Sequence, residues 1–241
     1  MNKFNNTGQI ILAIAVVLIA SFIIGSIIEK SIRDKETDLL EKTTWEYDFS
    51  ASKLNGITPE LEGYFTKALA DKKEYKLELI TLLGIQTVEG KNYLYFAKGT
   101  KDKEDERFYI VKIHVDPNKK VELIGVHIFT IEMYADKDIT NTRKIIVGAW
   151  SAYNRTSETI LPYDVKKVYD EAIKKYTTAI FKPIAYLGTR AFQGHDYAIL
   201  AVGTKTTIDS VPEIYMITIY KDTDDNTKVG KVAYIDLSKF E

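Results

Sequence analysis

The chain has 241 residues, of which 45% are hydrophobic and 28% charged, and its net charge at pH 7 is −1. This is the composition of a globular protein, without the excess of basic residues by which proteins bind nucleic acid. The chain contains no cysteine, which excludes disulfides, thiol catalysis and cysteine-ligated metal sites.

The first predicted element is an apolar helix that follows a short leader, residues 1–9. Residues 10–28 carry no charge, and a helix of that length extends about 28 Å, close to the hydrocarbon thickness of a bilayer. The alternative is a cleaved signal peptide, whose apolar region is normally shorter and ends at a small-residue cleavage site. Cleavage near Gly25-Ser26 is disfavoured because Ile27-Ile28 continues the apolar run. We therefore predict a retained single-pass membrane anchor.

The orientation of this anchor depends on two opposing signals. Lys30, Arg33 and Lys35 follow the apolar segment, and the positive-inside rule would place them in the cytoplasm. An uncleaved apolar segment this close to the N-terminus is, however, typical of a signal anchor, which exports the rest of the chain. We expect export, with residues 29–43 forming a stalk between the membrane and the folded part.

An internal repeat organises the rest of the chain. Residues 84–93 share Gly84, Gly90 and Tyr93 with the residues 104 positions later, and Gly99-Thr100-Lys101 recurs at the same distance. A constant offset of this length indicates two globular domains of one kind rather than a solenoid. The predicted limits are 44–134 for repeat one, 135–147 for a linker and 148–241 for repeat two.

Each repeat is predicted to begin with a helix. Thr58 suits the N-cap and Pro59 the first helical position of repeat one, and Pro162 stands near the corresponding start in repeat two. Short strands rich in Val, Ile, Tyr and Phe follow, separated by polar turns. The expected fold is α+β: one helix packed on a four- or five-stranded antiparallel sheet in each repeat, with the other sheet face exposed to solvent. Tyrosines on these strands are expected to pack against the helix or the partner domain: Tyr93, Tyr95, Tyr109, Tyr197, Tyr215 and Tyr220.

The segment Gln86–Gly90 spells Q-x-V-x-G between two predicted strands that follow a helix. It resembles the first inhibitory hairpin of the cystatins, protein inhibitors of papain-like cysteine proteases. The resemblance implies one helix wrapped by a four- or five-stranded antiparallel sheet. It also implies a binding wedge made of this hairpin, a glycine in the N-terminal strand and a second hairpin that often carries Pro-Trp.

Neither repeat carries the complete wedge. Repeat one has no glycine directly before Trp45 and no Pro-Trp, whereas repeat two has Gly148-Ala149-Trp150 at its entry but retains only the glycine of the hairpin motif, in Arg190–Gly194. The alternative interpretation is that the shared glycines permit tight turns and the other residues are structural. The candidate partner-binding residues are Gln86, Thr87, Val88, Glu89, Gly90, Gly148, Trp150, Arg190, Phe192 and Gly194.

Other chemical motifs are weak. Asp222, Asp224 and Asn226 have the spacing of a calcium loop, but Thr227 and Ala233 stand where that loop needs Gly and Glu, so a polar turn is predicted. The three histidines are far apart in sequence, and the carboxylates form no pair suited to acid–base catalysis. We expect no enzymatic activity, no cofactor and no metal.

The predicted function is that of a membrane-anchored, non-catalytic binding protein. The most specific hypothesis is that it inhibits a papain-like cysteine protease through the Gln86–Gly90 hairpin. The alternative is a structural or interaction module of the cell envelope without inhibitory activity.

Overall fold

A computed structural model describes residues 46–47, 57–135, 151–152, 161–191, 194–207 and 210–240. The predicted membrane anchor at residues 10–28 and the stalk at 29–43 lie outside these ranges. Within the ranges themselves, no helix combines the length and the apolar character that crossing a bilayer requires.

Repeat one folds as a helix followed by four antiparallel strands. Helix α1 (Pro59–Leu69) begins as predicted, because Thr58 Oγ1 accepts a hydrogen bond from the Leu61 amide at 3.3 Å and Pro59 occupies the first turn. Each strand then pairs with the next, and a one-turn helix α2 (Glu132–Ala135) ends the repeat. The strands are β2 (Tyr75–Val88), β3 (Gly90–Lys101), β4 (Arg107–Val115) and β5 (Val121–Phe129).

Repeat two has the same order of elements. Helix α3 (Tyr163–Ile173) is preceded by Pro162, which offers no side-chain cap. Four antiparallel strands follow, and a 3₁₀ turn (Leu237–Phe240) closes the repeat. The strands are β7 (Ala179–Ala191), β8 (Gly194–Lys205), β9 (Glu213–Asp222) and β10 (Thr227–Tyr234). The predicted α+β class with antiparallel sheets is confirmed.

The two repeats exchange their first strands. The two-residue strand β1 (Glu46–Tyr47) precedes α1 in the chain, yet it pairs antiparallel with β7 of repeat two. Its counterpart β6 (Ser151–Ala152) precedes α3 and pairs antiparallel with β2 of repeat one. The two pairings use equivalent positions. Strand β1 lies opposite Gly188 and Thr189, and β6 lies opposite Gly84 and Ile85, which are the matching residues of the other repeat. Each sheet therefore contains five strands, of which one belongs to the other repeat.

The two sheets also share one hydrophobic core, so the prediction that the sheet face opposite the helix is exposed is wrong. The physical reason is visible in the central strands, which carry unbroken apolar runs such as Tyr93–Ala97 and are buried on both faces along those runs. The shared cluster includes Leu94, Phe96, Phe108 and Ile110 from repeat one with Leu200, Ile214 and Met216 from repeat two.

Each helix covers a second core that belongs to its own repeat. In repeat one, Phe65 of α1 packs on Tyr95, whose hydroxyl donates to the Leu61 carbonyl at 2.9 Å. In repeat two, Tyr169 of α3 donates to the Phe181 carbonyl at 3.1 Å. The tyrosines that pack in these helix-side cores as expected are Tyr93, Tyr95, Tyr109 and Tyr215. The partly buried Tyr197 also packs against the core of repeat two, whereas Tyr220 is partly exposed outside it.

The ends of the repeats reach across the shared core as well. Ile131 and Tyr134 at the end of repeat one join the same cluster as Leu237 and Phe240 at the end of repeat two. Helix α2 contacts strands β9 and β10, and the Phe240 ring lies 5.8 Å from the imidazole of His127. Both repeats accordingly fall within a single compact unit, residues 45–241. The domain limits at 44, 135 and 148 stay predictions.

Candidate binding site

The first hairpin ends in a tight, exposed tip. Val88 pairs with Gly90 across the turn, and the side chains of Thr87, Val88 and Glu89 are exposed, with Val88 at 43%. We call residues 87–90 the first-hairpin tip. The structure thus presents three of the predicted partner-binding residues to solvent at one end of the sheet.

Gly90 is required by the backbone around it. Its φ is +97°, and a Cβ at this position would lie 2.3 Å from the Val115 carbonyl oxygen at the end of β4. Gly194 is in the equivalent situation in repeat two, with φ +133° and a Cβ position 2.3 Å from the Lys221 carbonyl oxygen. Left-handed φ and close approach of a neighbouring strand explain both glycines without any partner.

Two further elements surround the first-hairpin tip. Gly90 abuts the end of β4, where Asp116 and Lys119 form the turn into β5. The Lys119 ammonium lies 3.8 Å from the Glu60 carboxylate in the first turn of α1. The first hairpin, the β4–β5 turn and the start of α1 therefore meet at the same end of repeat one.

Glu60 also accepts a hydrogen bond from the Tyr64 hydroxyl at 2.5 Å. This bond, together with burial of the phenol, raises the pKa of Tyr64 from 10.0 to about 12. The same bond and the Lys119 charge lower the pKa of Glu60. Both shifts mean that the neutral phenol and the ionised carboxylate are the forms that the folded protein favours.

The stability of the protein should accordingly fall as the pH rises from about 10 to about 12. In the unfolded chain a tyrosine ionises near its ordinary pKa of 10.0, whereas Tyr64 stays neutral in the folded protein up to about pH 12. Ionisation therefore favours the unfolded chain between these two values, and the free energy of unfolding falls there. The measurement is the urea midpoint as a function of pH for the wild type and Tyr64→Phe. The variant should lose part of the alkaline decline, and an identical pH profile would contradict this assignment.

A chain of side-chain hydrogen bonds runs across the sheet directly behind the tip. Asn92 Nδ2 donates to Gln86 Oε1 at 2.8 Å, and His114 Nδ1 lies 2.8 Å from Asn92 Oδ1. With its proton on Nδ1, His114 donates to Asn92, so that the chain links β4, β3 and β2 at directly opposite register positions. The Gln86 amide, a predicted partner-binding group, is therefore engaged within the sheet.

Repeat two carries an ion pair at the equivalent position. The Arg190 guanidinium contacts Asp196 Oδ2 through Nη2 at 3.0 Å and through Nε at 3.3 Å. Arg190 is only 6% exposed, so it cannot serve as an exposed contact for a partner. Gly194 opens β8 beside this pair. The remaining predicted site residues, Gly148, Trp150 and Phe192, lie outside the described residues.

Sequence reasoning missed Asn92, His114 and Asp196. None of them belongs to the Q-x-V-x-G pattern, because they stand on the strands that face the motif rather than within it. A signal was nevertheless present: Gln86 and Asn92 both change at the repeat offset, to Arg190 and Asp196, and they change together.

The acidic segment after β9 is a turn, as predicted. Asp222 Oδ1 accepts hydrogen bonds from the amides of Asp224 and Asn226 at 2.9 and 2.8 Å. The hydrogen bond from the Asn226 side chain, together with these amide bonds, lowers the pKa of Asp222. In the described part of the chain, no group of three or more histidine or carboxylate side chains is arranged to hold a metal ion.

Comparison with known proteins gave two negative results. No protein-family model matches the chain. No curated protein shows significant sequence similarity to it.

Proposed function

We propose that the protein is a membrane-anchored, non-catalytic binding protein that contacts its partner through the first-hairpin tip. The observation that carries this proposal is the exposure of the first-hairpin tip. Repeat one presents Thr87, Val88 and Glu89 to solvent on a tightly paired hairpin.

The tip is suited to binding because it is preorganised. Strands β2 and β3 pair all the way to Val88 and Gly90, so docking would immobilise little additional backbone. A single apolar side chain at the centre of a contact, rimmed by polar groups, can supply much of the binding free energy. Val88, flanked by Thr87 and Glu89, has this arrangement.

A papain-like cysteine protease is the partner class that the resemblance to cystatins suggests. Support comes from the order of elements, a helix followed by a four-stranded meander with a short strand beside β2. Two features depart from the cystatin pattern. The short strand comes from the other repeat, and the sheet face opposite α1 is buried against a second sheet.

The proposal places the binding unit on the outer side of a membrane, with residues 10–28 as the anchor. It rests on the apolar segment near the N-terminus. The test is protease digestion of intact cells that express the full chain. Degradation of the folded part is expected, and complete protection would rule out export.

Val88→Glu should weaken inhibition of a responsive papain-like protease by tenfold or more, because a charge would replace the apolar contact. The measurement is the inhibition constant of the two-repeat unit against several such proteases. Val211→Glu, the same substitution at a similarly exposed valine before β9 of repeat two, serves as the matched control and should leave the constant unchanged. Gly90→Ala is unsuitable, because its added Cβ would displace β4.

A wild-type protein that inhibits none of these proteases at high micromolar concentration would remove the inhibitor proposal. The alternative, a structural or interaction module of the cell envelope, would then be preferred. It is favoured by the exchanged strands and the shared core, which join the two repeats. Recovery of the same membrane proteins by the wild type and by Val88→Glu would support it.

A further inference from the structure

The first hairpin of each repeat carries a cross-strand pair of side chains at the same register position. In repeat one the pair is Gln86 and Asn92, two neutral amides. In repeat two it is Arg190 and Asp196, two opposite charges. In both cases the first member lies on the strand that leads into the hairpin turn, and the second lies on the strand that leaves it.

The chemistry of these pairs makes their members mutually dependent. A guanidinium at position 86 would face the neutral amide of Asn92 instead of the carboxylate that Arg190 faces in repeat two. In repeat two, an amide at position 190 would leave the Asp196 carboxylate without its charged donor. Substituting both members at once keeps a matched pair, whereas substituting one does not.

We propose that Asn92 and His114 are positioning residues of the first-hairpin tip and that the Gln86–Asn92 and Arg190–Asp196 pairs are interchangeable. His114 orients the Asn92 amide by donating to its oxygen, and Asn92 then holds Gln86. Gln86 directly precedes the exposed residues Thr87, Val88 and Glu89. The effect on partner binding rests on the function proposed above, whereas the effect on hairpin rigidity does not.

The test compares amide hydrogen exchange of residues 87–91 in the full chain with that of three variants: Asn92→Ala, Gln86→Arg and the double variant Q86R/N92D. Asn92→Ala and Gln86→Arg should each exchange about tenfold faster at the tip, as expected when one or two hydrogen bonds are lost locally. The double variant, which recreates the pair of repeat two, should return to within about twofold of the wild type. Asn118→Ala, an exposed asparagine in the β4–β5 turn, is the matched control and should not change the exchange.

Exchange in the central strand of repeat two, residues 197–202, reports whether each variant is folded. The inference is overturned if Asn92→Ala retains wild-type exchange at the tip, or if the double variant exchanges as fast as Gln86→Arg. Because hydrogen exchange needs no partner, its outcome is separate from that of the inhibition assay. If Q86R/N92D restores slow exchange at the tip but the wild type inhibits no protease, the positioning role stands and the proposed inhibitory function does not.

Discussion

Phe96→Ala is expected to lower the free energy of unfolding by about 3–5 kcal/mol, the usual cost of truncating a buried aromatic side chain to alanine. Phe96 is 0% exposed. Its ring stacks on Phe108 at a centroid distance of 5.2 Å and meets Phe129 edge-on at 5.3 Å. Because these rings belong to the core that both sheets share, the loss should extend to repeat two.

The measurement combines urea unfolding with hydrogen exchange resolved by segment. Phe96→Ala should accelerate exchange in β8 and β9 as well as in β3 and β4, since one cooperative unit has one stability. Phe96→Leu is the matched control, because it keeps an apolar side chain and should lose clearly less stability. Wild-type exchange in β8 and β9 of Phe96→Ala would show that the repeats unfold independently and would contradict the shared core.

The exchange of strands determines how the binding proposal must be tested. A fragment limited to residues 44–134 would lack β6, the strand that pairs with β2 next to the first hairpin. It would also expose the apolar face of its sheet that includes Leu94 and Ile110. Exposed apolar surface of this kind promotes association, so inhibition by the isolated repeat would not report on the native tip. The two-repeat unit is the appropriate material.

Local structure was predictable from the sequence because local signals determine it. The Thr58 cap and the proline after it placed the start of α1 correctly. Alternating and continuous apolar runs located the long strands. In the structure each helix is followed by four antiparallel strands, as expected.

Strand exchange was not predictable, because the residues around each first strand and its two possible partner edges are similar in the two repeats. Strands β1 and β6 are two residues long and follow Trp45 and Trp150, which match each other in the two repeats. Each strand finds nearly equivalent edges on β2 and β7, and no local pattern distinguishes pairing within a repeat from pairing between repeats. The burial of both sheet faces did have a signal, in the unbroken apolar residues of Tyr93–Ala97.

In the candidate site, too, local features could be predicted from the sequence, whereas contacts between strands could not. The motif residues Thr87, Val88 and Glu89 could be placed at a turn because the surrounding pattern is a hairpin. The roles of Asn92 and Asp196 depend on which residue stands opposite, and that is a property of register rather than of spacing. Arg190, a predicted contact, is for this reason found in a buried ion pair.

Arg190→Gln is expected to destabilise the protein by about 3–5 kcal/mol, because removing one member of a buried ion pair leaves the other charge uncompensated. Asp196 would then keep a carboxylate that is only 9% exposed and that has lost its contacts with both Nη2 and Nε. The double variant R190Q/D196N places the neutral pair of repeat one in repeat two and should recover most of the loss. Replacing both members of a buried ion pair together is often close to neutral for stability when the new side chains pack well.

The measurement is a double-mutant cycle on the free energy of unfolding, built from Arg190→Gln, Asp196→Asn and the double variant. A large coupling term is expected, since each single variant breaks the pair and the double variant replaces it. Lys166→Gln, which breaks the exposed ion pair with Asp170 at 2.6 Å, is the matched control and should change stability by less than about 1 kcal/mol. The contradicting result is a double variant that loses the sum of the two single losses in free energy of unfolding. The amide pair would then not replace the ion pair, and the two pairs would share only their position in the hairpin.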